Sequence, residues 1–136
     1  MPDTSADTCR NSLSRCLKRE GFSERFYELF MASSPEVREK FRDTDFERQR
    51  RVLADALFVI AIAAEAPEDA PAVRQLDKLA TRHARSNLDI RPELYALWKE
   101  CLLQTLEEKD PEFSDAVAAA WRDVVEAATA RMLEAY

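Results

Sequence analysis

Glycine is almost missing from this sequence, with Gly21 the only one among 136 residues. Hairpins and phosphate-cradling loops draw on glycine for positive-φ backbone, so the chain has almost no material for either. Histidine is as scarce: His83 stands alone, with no nucleophile and orienting acid at a readable spacing, which counts against a hydrolase. The cysteines, Cys9, Cys16 and Cys101, are few and odd in number. A chain of this size folds without disulfides, so they read as buried or half-buried thiols of a cytoplasmic protein. Cys9 and Cys16 fall on one helix face, but without a nearby histidine they make a poor metal pair.

Positive charge is in deficit. The formal net charge is −6 and the pI about 4.9, which argues against a nucleic-acid partner or an anionic-membrane partner. Arg48, Arg50 and Arg51 read as a solvated helix face. Long apolar runs are missing too: the longest, Ala56 to Ala64, is well short of the roughly 20 residues of a spanning helix. The polar N-terminus is not expected to carry a signal peptide.

What remains is helix-forming and core-forming material. Apolar residues make up 46% of the chain and charged ones 34%, the balance of an ordered globular protein. Ala, Leu, Glu and Arg are plentiful, and the expected fold is all-α, a single domain over residues 1–136. Ser5 or Thr4 caps a first helix running to about Glu20, with Leu13, Cys16 and Leu17 inward and Gly21 ending it. A second helix runs from near Ser23 to Ser33, carrying Phe26, Tyr27, Leu29, Phe30 and Met31.

Ser34 and Pro35 pair a cap with a first-turn proline and open a short helix to about Phe41. Beyond a polar link, Phe46, Gln49, Leu53, Ala56, Leu57 and Ile60 recur at helical spacing, and that helix stops before Pro67. Asp69 to Pro71 restart the chain, with Val73, Leu76, Leu79, Ala80 and His83 inward. Asn87 to Arg91 is a loop, and Pro92 opens a helix with Tyr95, Trp98, Cys101, Leu102 and Leu106 on one stripe. After Asp110 and Pro111, the last helix shows Phe113, Val117, Trp121, Val124, Val125, Ala128 and Met132.

Three residues do not suit a plain hydrocarbon core. His83 continues an apolar face, Gln49 occupies an apolar stripe, and Tyr27 puts a hydroxyl on a greasy helix. Each alone is compatible with ordinary packing, since a buried polar group only needs a partner. Together they suggest a cavity with an imidazole on one wall and a phenol and an amide on the other.

The segment Phe26-Tyr27-Glu28-Leu29-Phe30, followed by Ser34-Pro35-Glu36-Val37-Arg38-Glu39-Lys40-Phe41, resembles the second and third helices of bacterial globins. The similarity is strongest to the haem domains of flavohaemoglobins and their single-domain relatives. Leu79-Ala80-Thr81-Arg82-His83, with Ile90-Arg91-Pro92-Glu93-Leu94-Tyr95, resembles the proximal helix and the start of the next one. The resemblance implies a globin fold with helices packed around a haem pocket. It places His83 as the proximal iron ligand, Phe41 against the haem face, and Tyr27 and Gln49 on the distal side with Leu53 a turn later. Tyr95 opens the helix after the proximal loop; Leu79, Leu88 and Ile90 are further contacts, and Arg82 is a partner for a haem propionate. Two departures stand out: the link from Phe41 to Gln49 is shorter than in flavohaemoglobins, and that from His83 to Tyr95 is longer.

No Cys-x-x-Cys-His string is present, so the implied cofactor is haem b, held without thioether links. The implied ligands are O2, NO or CO. Tyr27 and Gln49 would retain O2 by hydrogen bonding, which fits oxygen storage, transport or sensing, or nitric-oxide dioxygenation. The resemblance covers no flavin or nicotinamide domain, so dioxygenation would need a separate reductase. A monomer or a homodimer is expected. The rival readings are a haem-free globin-shaped interaction module, in which His83 is a core histidine, and a gas sensor signalling through a partner.

Overall fold

The computed structural model describes residues 4–136. Among them the chain forms seven α-helices and no strands: α1 (Ser5–Leu17), α2 (Phe22–Ser33), α3 (Pro35–Lys40), α4 (Phe46–Ala63), α5 (Pro71–His83), α6 (Pro92–Lys109) and α7 (Asp115–Glu134). The helix starts are written in local chemistry. Thr4 and Asp7 form a reciprocal capping box on α1, and Ser34 accepts from the Glu36 amide ahead of Pro35. Asp45 accepts from the Glu47 and Arg48 amides, while Ser114 takes the Val117 amide. Pro71 and Pro92 occupy first-turn positions where no amide proton is needed.

Some sequence expectations shift at the joints. α1 ends at Leu17 and not near Glu20, because Phe22 opens α2 and is buried, so the chain must reverse earlier. Gly21 is the N-cap of α2, at φ 92°, a left-handed conformation that suits a residue without a side chain. Leu17, expected inward, is 39% exposed at the end of α1. Phe113 lies in the turn before α7 and packs against the core from there.

α7 packs against α1, α4, α5 and α6, and α2 lies on α6 and α3. The inward residues of α7 expected from spacing, Val117, Trp121, Val124, Val125, Ala128 and Met132, are all buried. A polar cluster ties α1 to the corner between α6 and α7. Trp121 Nε1 donates to Ser12 Oγ at 3.0 Å, Ser12 donates to Asp110 at 2.6 Å, and Arg15 donates two bonds to the same carboxylate at 2.7 and 2.9 Å. Every buried polar atom of this cluster is satisfied, as a low-dielectric interior requires. Cys9, Cys16 and Cys101 are free and buried, in line with the sequence reading. No described helix is long and apolar enough to cross a membrane.

Candidate functional site: a cavity walled by His83, Tyr27 and Gln49

A cavity of about 350 Å³ opens between α2, α3, α4, α5, α6 and α7. All ten residues singled out from the sequence line it: Tyr27, Phe41, Gln49, Leu53, Leu79, Arg82, His83, Leu88, Ile90 and Tyr95. Sequence reading missed Val37, Val52, Ile60, Leu94, Trp98 and Met132 among the rest of the lining. Helical spacing marked Ile60, Trp98 and Met132 as core-facing, and nothing in that pattern separates a cavity wall from a filled core.

His83 closes α5 and is half-buried. Its Nδ1 bonds the Leu79 carbonyl one turn earlier at 2.8 Å. A carbonyl only accepts, so Nδ1 carries the proton and Nε2 is left with a free lone pair. Burial, opposed by the Leu79 bond and assisted by nearby Arg82, pushes the imidazole pKa below its ordinary value and favours the neutral ring.

Tyr27 is buried inside an aromatic cluster, edge-on to Phe26, Phe41 and Phe46 with ring centroids 5.0, 5.6 and 5.5 Å away. Such edge-to-face packing fixes the ring plane. Gln49 Nε2 donates to the Tyr27 hydroxyl at 3.1 Å. That bond uses the phenol oxygen as acceptor, and among the described residues its own proton has no acceptor within hydrogen-bond distance. Burial pushes the phenol pKa up to about 12, against the Gln49 bond, so the hydroxyl stays a donor. Tyr95 is held neutral in the same way, pushed up to about 12 by burial.

The mouth is part apolar and part cationic. Val52 is 42% and Leu88 49% exposed, while Lys40 and Arg82 border the same opening. Two ties cross from α3 to the loop of residues 84–91: Lys40 Nζ donates to the Leu88 carbonyl at 2.9 Å, and Arg91 pairs with Glu36. The loop folds back on the end of α5, with the Ile90 amide on the His83 carbonyl at 2.9 Å and the Leu88 amide on the Arg82 carbonyl at 3.0 Å.

Residues 24–132 match the globin family. This chain is a globin. An uncharacterized globin-like protein of Aquifex aeolicus (strain VF5) is 35% identical over 94 residues, covering 68% of this chain and 64% of that protein. A flavohemoprotein of Rhizobium meliloti (strain 1021) is 32% identical over 110 residues, covering 77% of this chain and 26% of that protein. The globin thus spans a little under two thirds of the first relative and about a quarter of the second. Among solved structures, a Pseudomonas aeruginosa PAO1 protein described as structurally highly homologous to a human hemoglobin superposes with a TM-score of 0.90. The two are 35% identical, and the match covers 98% of each chain.

Globin membership and the flavohemoprotein relative imply haem binding, and the residues present fit that group. Among the described residues no set of three or more His, Cys, Asp or Glu side chains can hold a bare metal ion. His83 therefore suits a metal that brings its remaining ligands with it, as an iron porphyrin does. A largely apolar wall with one free imidazole lone pair suits haem.

Proposed function

We propose that residues 1–136 act as one domain that binds haem b through His83 Nε2 and takes up diatomic gases reversibly. The observation that carries this reading is that one cavity is lined both by an imidazole with a free lone pair and by a phenol whose proton has no acceptor among the described residues. Haem would supply an iron whose remaining axial position is open to O2, NO or CO. Phe41, Leu53, Leu79, Leu88, Ile90 and Tyr95 would hold the ring by apolar contact, and Arg82 would meet a propionate at the mouth.

Tyr27 and Gln49 would act on the ligand side. A diatomic ligand that gains negative charge is stabilised by donors fixed before it arrives, because no reorganisation is then needed. The Tyr27 hydroxyl is such a donor, oriented by the aromatic cluster and by the Gln49 bond it accepts. Apolar side chains around it keep the local dielectric low and strengthen the bond. This arrangement favours retention of O2 over CO, which takes up less negative charge.

Retained O2 serves oxygen storage or transport, and it also serves nitric-oxide dioxygenation in a reducing cytoplasm. The second use requires an electron after each turnover, from a reductase on a separate protein. The flavohemoprotein relative supports this reading.

The test is the visible spectrum of the protein after hemin addition, reduction and exposure to O2 and CO. A strong Soret band that shifts with CO and is lost in His83→Ala is the expected outcome. A folded protein with no Soret band would overturn it and favour a haem-free interaction module.

A further inference from the structure

The sequence is acidic overall, yet the two segments that flank the cavity mouth are not. Residues 38–51 carry six Arg and Lys against four Asp and Glu, and residues 74–85 carry four against one. The few carboxylates there are already engaged. Glu39 and Asp43 pair with Arg42, Asp45 caps α4, and Asp77 pairs with Arg131. Among the described residues, Lys40, Arg48, Lys78 and Arg82 have no carboxylate within ion-pair distance.

Helical spacing sets these four around the opening. Lys40 and Arg82 line it directly. Arg48 lies one turn before Val52 on α4, and Lys78 one turn before Arg82 on α5, so each shares the exposed face of a mouth residue. Val52 and Leu88 supply exposed apolar surface between them. An apolar centre with a charged rim is the ordinary layout of a transient protein interface. The excess acid lies elsewhere on the molecule, so an approaching anionic partner is repelled there and drawn to this side.

We infer that this basic rim is the docking surface for a separate, acidic-surfaced protein that donates one electron to the group held by His83. The inference rests on the haem reading above. The mouth is where the edge of a group filling the cavity comes nearest to solvent, and electron transfer falls steeply with distance. The step moves one electron from the reduced donor protein to the ferric iron and transfers no atom. Lys40 and Arg82 serve the propionates, and Arg48 and Lys78 are left to the partner.

The experiment uses hemin-loaded protein and flavodoxin hydroquinone, a strongly acidic one-electron donor, as the probe. The observed reduction rate should fall steeply as salt rises, as electrostatic steering requires. At low salt the double variant Arg48→Glu/Lys78→Glu should slow reduction about tenfold or more, with its Soret band and CO binding unchanged. The variant Lys18→Glu/Arg122→Glu carries the same change in net charge on exposed positions of other elements and should stay close to the parent protein. Equal slowing in both variants would reduce the effect to net charge and overturn the docking surface, and so would a salt-independent rate. A chain that fails to load hemin would instead count against the haem reading. Amide shift changes in the unloaded protein on adding flavodoxin then test the rim by itself: changes centred on α4 and α5 at the mouth uphold it, and changes elsewhere or none overturn it.

Discussion

The phenol of Tyr136, just past the end of α7, donates a 2.6 Å hydrogen bond to Asp89 Oδ1 in the loop that follows His83. The Arg85 guanidinium lies 4.8 Å from the centre of the same ring. Asp89 has φ 51°, a left-handed conformation that costs a residue with a side chain something and needs outside support. Tyr136→Phe should therefore speed hydrogen exchange of the Leu88, Asp89 and Ile90 amides several-fold while leaving α1 and α6 unchanged. Asp89→Asn keeps an acceptor oxygen and tolerates the backbone, so it should exchange close to the parent rate. If the Tyr136→Phe loop is as protected as in the parent, the tyrosine does not hold it.

Tyr27→Phe removes the phenol proton beside Gln49 and keeps the ring in its aromatic cluster. The lost bond to a partly charged ligand is worth about 1.5–3 kcal/mol. O2 dissociation measured by stopped flow should accelerate roughly ten- to a hundredfold, with CO dissociation changed much less. An unchanged O2 off-rate would remove Tyr27 from its distal role.

Asp110 is buried and accepts bonds from Ser12, Arg15 and the Glu112 amide. Burial raises its pKa, but these bonds outweigh burial and hold it below the ordinary carboxylate value. A group depressed in the folded state adds stability that is present above its unfolded pKa of about 3.8 and is lost as pH falls below it. Asp110→Ala should cost about 3 kcal/mol at neutral pH, since the Ser12 hydroxyl and the Arg15 charge lose their shared partner. Urea unfolding at pH 7 and pH 3 checks both parts, because the gap between variant and parent should narrow at the lower pH.

Cys9 and Cys16 have thiols pushed up to about 12 by burial and nearby acidic groups. Only the thiolate attacks alkylating reagents, so both should resist iodoacetamide at pH 8 in the native protein and react on unfolding. Mass spectrometry across a urea series should show their labelling tracking global unfolding; labelling in native buffer would contradict the burial.

How much of this was legible in the sequence differs between the helices and the site. Pro35, Pro71 and Pro92 announced three helix starts because proline and cap preferences act within one turn. The inward face of α7 was readable because its spacing stays regular from Val117 to Met132. The first corner was not: where α1 stops depends on Phe22 packing against distant helices, which no local signal records. Tyr27 and Gln49 were visible as misfits on apolar stripes, but the bond between them spans two helices and follows only from the fold. Ile60 and Met132 read as ordinary apolar positions because pattern cannot tell a cavity wall from a filled core.

The short helix α3 meets the loop after His83 through two exposed polar ties, Lys40 to the Leu88 carbonyl and Arg91 to Glu36. Exposed ties of this kind are individually weak and are screened by salt, whereas the far side of the molecule is locked by the buried cluster around Asp110. The globin thus carries a buried polar lock at one corner and exposed polar ties at the cavity mouth. If haem is held as proposed, its residence time should depend on how often these ties part, separately from how tightly the interior grips it. Two relatives with the same lining could bind the same group with equal affinity and release it on very different clocks.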